Sequence, residues 1–200
     1  NLNLINDESD INFNNELKIL LKNEKFNIKF IKSKIKDNHG SYLECCDNCE
    51  TAEDLIFFIE DDYLFKKTAI EELLITYSRI STLMDKDIFL CPTDYPFYYD
   101  ANYDTSLFIG KDYRWRHVKE CLLTFLFSKE LFDKNKKNIR LVGEQNNEPF
   151  EKPLHDIFKK EMCLSPVSSV AYHLSRTVPG IESDWLELWN KNYRDINGGP

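Results

Sequence analysis

Glycine, proline and long apolar runs are all scarce in this 200-residue sequence. It has only 6 glycines and 7 prolines, and nowhere do they gather with serine into a linker that would divide the chain. The longest uninterrupted apolar run is Leu55–Ile59, about a quarter of the length that a membrane-spanning helix needs. We therefore predict a single domain over residues 1–200, with no transmembrane segment.

Positive charge is also in short supply, because 26 Lys and Arg residues face 34 Asp and Glu residues and leave a net charge of −8. Proteins that bind nucleic acid need a basic face. Here the basic residues are interspersed with acidic ones, which is typical of a solvated surface. The composition thus argues against a nucleic-acid partner.

Signals of secretion are missing as well. The first ten residues lack the basic start and the long apolar stretch of a signal peptide, and the six cysteines are spaced too irregularly for a small secreted disulfide framework. Cys45, Cys46 and Cys49 lie near His39, but structural zinc needs four ligands, normally in two separated pairs. We therefore favour reduced thiols over a zinc site, and a cytoplasmic protein.

Apolar residues are plentiful, at 42% of the chain with 14% aromatic, which excludes a disordered protein. Their spacing predicts strands alternating with helices. The predicted strands are Leu2–Ile5, Phe26–Ile31, Leu55–Ile59, Ile88–Cys91, Cys121–Phe127 and Val167–Leu174. The predicted helices are one capped by Asn14 or Asn15 and ending near Lys22, then Tyr42–Ala52, Lys67–Met84, Lys129–Lys136 capped by Ser128, Pro153–Glu161, and a terminal helix with Trp185 and Trp189. Asp94–Trp115 is predicted to be a long loop or hairpin.

This alternation predicts an α/β fold, a three-layer sandwich around a mostly parallel central sheet with right-handed crossovers. In such a fold the ligand site lies beyond the carboxyl ends of the strands. The chemically informative residues should therefore be those that directly follow a predicted strand.

Three carboxylates, Glu60, Asp61 and Asp62, directly follow the predicted strand Leu55–Ile59. Crowded carboxylates repel one another unless a cation or hydrogen-bond donors offset the charge. Mg²⁺ and Mn²⁺ prefer carboxylate oxygens and often take only one or two from the protein. The sequence thus predicts a divalent cation here, and the alternative is an acidic turn that stabilises the start of the next helix.

The segment Asp54–Leu64 resembles the nucleotide-sugar glycosyltransferases with the A-type (GT-A) fold, and is similar to glycosyltransferase family 2, in which an acidic DxD-type motif ends a central strand. The resemblance extends to a second acidic strand end, Ile5–Asp10. It implies that Asp7 contacts the donor nucleotide, that Glu60 or Asp61 lies near the ribose, and that Asp62 coordinates the Mn²⁺ or Mg²⁺ ion bridging the diphosphate. The family begins with one more strand and helix, and this sequence starts near the family's second strand.

Two later segments, Pro153–Phe158 and Ala171–Leu174, also resemble this family. Pro153–Phe158 is similar to the short helix start that bears the catalytic carboxylate, although the usual Glu-Asp is His155-Asp156 here. The resemblance implies Asp156 as the base that removes the acceptor's proton, and His173 as a further metal ligand or diphosphate contact. The alternatives are a carboxylate that stabilises a helix start and a hydrogen-bonded histidine at the rim of the core.

Arg114–His117 lies in the segment that borders the acceptor side in similar proteins. Trp115 offers an apolar face to a sugar ring, and Arg116 a bidentate grip on phosphate. The alternative for Trp115 is a residue that anchors a loop on the core.

The resemblance thus implies a metal-dependent glycosyltransferase that moves a sugar, with inversion, from a nucleotide-diphosphate donor to a hydroxyl of a glycan, lipid-linked or protein acceptor. One alternative is a magnesium-dependent nucleotidyltransferase, although that class usually carries a glycine-rich phosphate loop, which this sequence lacks. The other is an inactive carbohydrate-binding or scaffold remnant of the same fold.

Overall fold

The computed structural model describes residues 1–7, 9–100, 104–177, 179–181 and 184–197. Within these residues it has seven helices, namely α1 (Ile11–Leu20), α2 (Asn38–Cys49), α3 (Ala69–Met84), α4 (Phe97–Asp100), α5 (Lys129–Glu144), α6 (Lys152–Phe158) and α7 (Trp185–Asn197). Its strands are β1 (Leu2–Asn6), β2 (Ile28–Lys32), β3 (Leu55–Phe58), β4 (Tyr63–Phe65), β5 (Phe89–Leu90), β6 (Leu107–Ile109), β7 (Arg114–Val118), β8 (Phe125–Ser128), β9 (Cys163–Val167) and β10 (Ala171–His173). The prediction of an α/β protein is confirmed.

Six strands form the central sheet, in the order β3-β8-β5-β9-β7-β6. Only β5 and β9 pair in parallel; the other four neighbouring pairs are antiparallel. The prediction of a mostly parallel sheet is therefore wrong. A continuous apolar run indicates that both faces of a strand are covered, but it carries no information on strand direction, and β8 runs opposite to both of its neighbours.

Two smaller sheets complete the strand pairing. β1 and β2 pair in parallel, with Leu2 opposite Ile28, while β4 and β10 pair antiparallel, with Tyr63 opposite His173. The second pair matters for function, because it brings the chain that follows the three carboxylates against the end of β10.

Alternating side chains of the central strands face two hydrophobic clusters. Phe89, Phe125 and Phe127 belong to the first cluster, together with buried residues of α2, α5 and α6. Leu90 and Leu126, their neighbours in the strands, belong to the second, which includes Leu73, Tyr77 and Ile80 of α3. Helices therefore cover both faces of the sheet, as expected of a layered fold.

Several predicted boundaries hold because local capping chemistry determines them. The Ser128 hydroxyl accepts a hydrogen bond from the Leu131 N–H and caps α5 as predicted, and Pro153 lies in the first turn of α6. The predicted cap of the first helix at Asn14 or Asn15 is wrong, because Asp10 accepts from the Phe13 N–H and starts α1 earlier.

The segment predicted as a long loop or hairpin, Asp94–Trp115, contains α4, β6 and the start of β7. Residues 101–103 of it lie outside the described residues, as does Glu8 of the first acidic strand end. The predicted last strand, Val167–Leu174, is split, since β9 ends at Val167 and β10 begins only at Ala171. No helix among the described residues is long and apolar enough to cross a membrane, as predicted.

Candidate active site

The three carboxylates predicted as the metal-binding motif lie in the turn between β3 and β4. We call Glu60–Asp62 the acidic loop. The backbone N–H of Glu60 donates a hydrogen bond to the Thr124 hydroxyl (3.0 Å), which ties the start of the loop to the segment before β8. The carbonyl of Asp62 accepts from the Leu174 N–H (2.8 Å). Both ends of the acidic loop are thus held by neighbouring strands.

Glu60 is the half-buried member of the acidic loop, whereas Asp61 and Asp62 are exposed. Burial, followed by repulsion from Asp62, Glu151 and Asp61, raises the pKa of Glu60 to about 8. Each of these causes disfavours a negative charge on Glu60. A cation or a hydrogen-bond donor in this place would therefore be attracted strongly.

Asp62 and His173 lie 111 residues apart in the sequence and meet in the structure. His173 Nε2 is 3.1 Å from Asp62 Oδ2, and the carboxylate side chain is 48% exposed while the imidazole is only 10% exposed. The pairing of β4 with β10 produces this contact, since Tyr63 lies opposite His173. The two residues predicted from the sequence as metal ligands are therefore neighbours.

Two tyrosines hold the His173 ring in place. The Tyr63 ring stacks on it, with centroids 4.7 Å apart and an interplanar angle of 14°, and Tyr95 approaches it edge-on at 6.0 Å. The hydroxyl groups of Tyr63 and Tyr95 are 2.5 Å apart, and burial raises the pKa of both well above the usual value for tyrosine. The imidazole is thus fixed by packing as well as by Asp62.

Glu151, at the start of α6, influences the acidic loop electrostatically. It occupies the position before the first helical residue, but its side chain makes no capping hydrogen bond. It lies close enough to Glu60 to contribute to the raised pKa of that residue. Glu151 therefore adds a further negative charge to the surroundings of Glu60, one that the sequence did not predict.

Asp156, the predicted base, lies on the outer side of α6. Its carboxylate pairs with Lys159 Nζ at 2.7 Å, and the two side chains are 50% and 61% exposed. The hydrogen bond from Lys159 lowers the pKa of Asp156 below its ordinary value. Neither the ion pair nor the exposure directs this carboxylate toward the acidic loop.

Asp7, the predicted nucleotide contact, lines a cavity of about 440 Å³ at the ends of β1 and β2. Its Oδ1 atom is buried and has no hydrogen-bond partner within the described part of the chain. The cavity also receives Lys18, Lys32 and Lys36, together with Phe30. Its volume lies within the usual range for a small-molecule site, and none of its lining residues belongs to the acidic loop.

Trp115 and Arg116, the predicted acceptor or phosphate contacts, are both buried. Trp115 has no exposed surface and donates its indole N–H to Glu72 Oε1 (3.0 Å), so it packs in the core and presents no face to a sugar ring. Arg116 forms a buried ion pair with Asp94 under the Tyr99 ring, 4.0 Å from its centroid. Trp115 is thus a core residue of strand β7 that bonds to Glu72 on α3.

Glu151, Tyr63 and Tyr95 were not predicted as site residues. Tyr63 directly follows the acidic loop, and Tyr95 lies in the proline-flanked segment Pro92–Pro96 after β5, so a search of all strand ends would have found both. Nothing local distinguishes Glu151 from other acids before a helix. Its place at the site depends on how α6 packs.

A preformed metal cage is not part of this arrangement. Across the described ranges, no group of three or more His, Cys, Asp or Glu side chains has the geometry to hold a metal ion. A cation beside Asp62 and His173 would therefore need additional ligands from a bound molecule or from water.

The chain was compared with protein-family models, curated proteins and solved structures, and none of them matches it.

Proposed function

We propose that the protein is a metal-dependent glycosyltransferase that transfers a sugar from a nucleotide-diphosphate donor to a hydroxyl acceptor with inversion. The observation that carries this proposal is the contact of Asp62 with His173 beside the crowded carboxylates of the acidic loop. The six cysteines are free thiols, which supports a reducing, cytoplasmic setting.

The donor set of the site fits Mn²⁺ or Mg²⁺. Such ions often take one or two ligands from the protein, and substrate phosphates and waters fill the remaining positions. Asp62 and His173 would supply two ligands, and positive charge beside Glu60 would relieve the repulsion that raises its pKa. When bound, the cation neutralises the charge that develops on the departing diphosphate.

Inversion requires a base that removes the proton from the acceptor hydroxyl. The acceptor oxygen then bonds to the anomeric carbon of the sugar as the bond from that carbon to the diphosphate breaks. We favour Glu151 for this role over Asp156. Glu151 lies near enough to Glu60 to contribute to its raised pKa, whereas Asp156 is exposed and paired with Lys159. A carboxylate whose pKa is lowered by a lysine is also a weaker base.

The donor nucleotide is assigned to the cavity that contains Asp7. Its buried, unpartnered Oδ1 can accept a hydrogen bond from a nucleoside, and the three lysines around the cavity favour an anionic ligand. Because neither Glu60 nor Asp61 lines this cavity, contacts of these two residues with the ribose would require the ligand to extend beyond it.

The experiment that tests the proposal is a thermal-shift screen of UDP, GDP, CDP, ADP and TDP, each with and without Mn²⁺. A ligand that binds only the folded state raises the apparent stability. We expect a shift that requires both Mn²⁺ and one of the nucleotides, and we expect Asp62→Asn to abolish it.

The matched control is Asp54→Asn, which makes the same change of charge at an exposed residue. Asp54 directly precedes the first residue of β3, whereas the acidic loop follows the last. This variant should keep the wild-type shift. If no nucleotide and metal combination shifts the wild-type protein, the transferase proposal fails and an inactive remnant of the fold is favoured. If Asp62→Asn binds as the wild type does, the metal ligands lie elsewhere.

A further inference from the structure

The segment after β5, Pro92–Tyr95, connects three parts of the chain that surround His173. The Pro92 carbonyl accepts hydrogen bonds from the N–H groups of Val170 and Ala171 (2.9 and 3.1 Å). The Thr93 hydroxyl donates to the Ala171 carbonyl (2.7 Å). The segment is therefore bonded directly to the start of β10, the strand that ends in His173.

Asp94 forms an ion pair and several hydrogen bonds within this part of the fold. Its side chain is 2% exposed, and it pairs with Arg116 and accepts hydrogen bonds from the Tyr99 hydroxyl (2.7 Å) and from the Ser168 N–H (3.0 Å). Its own N–H donates to the Ser169 hydroxyl (3.0 Å). One buried carboxylate and its backbone thus hold the whole turn between β9 and β10.

That turn contains an unfavourable backbone conformation. Ser168 has a φ of 76°, in the left-handed region that residues other than glycine adopt rarely and at a cost in free energy. Such a conformation persists only when its surroundings enforce it. The hydrogen bond from the Ser168 N–H to Asp94 provides this constraint, two residues before β10 begins.

The same segment contacts the chain that leaves His173. The Ile181 N–H donates to the Asp94 carbonyl (2.7 Å), and the Gly180 N–H donates to the His173 carbonyl (3.3 Å). A side-chain carbon at Gly180 would lie 2.6 Å from the methyl group of Thr93, so Gly180 leaves room for the Thr93 side chain to pack against this part of the chain. The segment therefore contacts the strand that precedes His173 and the chain that follows it. Through the Tyr95 ring it also contacts the imidazole itself.

We infer that Asp94 is a positioning residue, which fixes the imidazole of His173 toward Asp62 by holding the Ser168–Ser169 turn and the adjoining Tyr95. Groups behind a metal or substrate ligand commonly set its orientation in this way. The consequence for metal binding rests on the proposed function. The consequence for the ring itself does not, because the contact between His173 and Asp62 is made in the protein alone.

The test compares three variants of the full chain. Asp94→Asn removes the charge that holds the turn, but it also leaves Arg116 buried without its ion-pair partner. Ser169→Ala removes the hydroxyl that bonds to Asp94 and to the Ile181 carbonyl without any change of charge. Glu72→Gln is the matched control, since it neutralises an equally buried carboxylate that belongs to another part of the core.

The measurement is the NMR signal of the His173 ring, in a protein with four histidines. Its disappearance in His173→Gln assigns it. We expect Asp94→Asn and Ser169→Ala to displace or split this signal, and Glu72→Gln to leave it in the wild-type position even where stability falls. A wild-type signal in both Asp94→Asn and Ser169→Ala would overturn the inference, as would the same displacement in Glu72→Gln.

A second measurement, the affinity for Mn²⁺ with the nucleotide identified by the screen, separates this inference from the proposed function. We expect the dissociation constant to rise at least ten-fold in Asp94→Asn and Ser169→Ala but not in Glu72→Gln. If the wild-type protein binds no Mn²⁺, the proposed function fails, and the ring signals alone confirm or overturn the role of Asp94.

Discussion

Glu72 and Glu60 are both carboxylates withdrawn from solvent, yet their surroundings differ. Glu72, on α3, is 1% exposed and accepts hydrogen bonds from the Lys111 N–H, the Asp112 N–H and the Trp115 indole. Glu60 is half-buried among other acids, and its pKa is raised to about 8.

The difference distinguishes a structural acid from one available to a ligand. A buried carboxylate whose oxygens receive several N–H donors stabilises the fold, because the donors and the acceptor satisfy one another. A carboxylate crowded by like charges costs stability until a cation or donor arrives. Substitutions at the two places should therefore have opposite effects on stability.

The largest effect is expected for Glu72→Ala. The Trp115 indole and the Asp112 N–H would lose their acceptor, whereas the Lys111 N–H keeps the Thr76 hydroxyl. Each buried donor without a partner costs about 1–3 kcal/mol. Because part of the turn can regain water, we expect the free energy of unfolding to fall by about 3–4 kcal/mol in urea denaturation. Glu71→Ala, the exposed neighbour, is the control and should change it little.

Gly110→Ala tests the hydrogen bonds of Glu72 without changing Glu72 itself. A side-chain carbon at Gly110 would lie 2.3 Å from Trp115 Nε1 and 2.6 Å from Glu72 Oε1, so the network would have to open. Forcing an added carbon into a packed region costs about 1–3 kcal/mol. We expect a loss of about 2 kcal/mol in the same denaturation experiment, and an unchanged midpoint would mean that the turn yields without disturbing Glu72.

Much of the fold followed from local sequence. The periodic helix α3, the Ser128 cap and the strand β3 depend on spacing and on capping groups that lie within a few residues of one another. The apolar run nevertheless did not reveal that β3 is an edge strand, with two of its four residues only partly buried. The strand directions did not follow, because the antiparallel insertion of β8 between β3 and β5 depends on contacts between distant segments. Periodicity records which face is buried but not which way the strand runs.

The candidate site was predicted in the same uneven way. Asp62 and His173 were predicted as metal ligands through the family resemblance, and the structure brings them together. Trp115 was misinterpreted since an indole in a polar segment, Arg114–His117, gives no sign that a buried acid on α3 accepts its N–H. Glu151 was missed because its nearness to Glu60 arises from the packing of α6.

Glu60 should give the protein a pH-dependent stability in the absence of metal. Its pKa is raised to about 8 in the folded protein, above its value in an unfolded chain, about 4.3. The folded state therefore binds the proton on Glu60 more tightly than the unfolded state does. This proton's contribution to the free energy of unfolding is fully present below the pKa of the unfolded chain, and it is lost as the pH rises through about 8.

Glu60→Gln should remove this loss. In EDTA, we expect the variant and the wild-type protein to have similar stability near pH 4, and the variant to be more stable by on the order of 1–2 kcal/mol above pH 8. Thermal or urea unfolding across this pH range provides the measurement. Parallel stability curves for the two proteins would show that the repulsion at the acidic loop is already compensated.

The smallest change in stability is expected for Asp156→Asn. The carboxylate is half exposed and pairs with Lys159 on the same helix, and such pairs contribute about 0.5 kcal/mol or less. The variant nevertheless tests which carboxylate is the base, because Glu151→Gln makes the same change of charge at the start of α6, where the carboxylate raises the pKa of Glu60. With the donor identified by the thermal-shift screen, we expect Asp156→Asn to retain turnover, and Glu151→Gln to bind the donor but transfer nothing. The reverse result would make Asp156 the base and require α6 to turn toward the acidic loop when substrate binds.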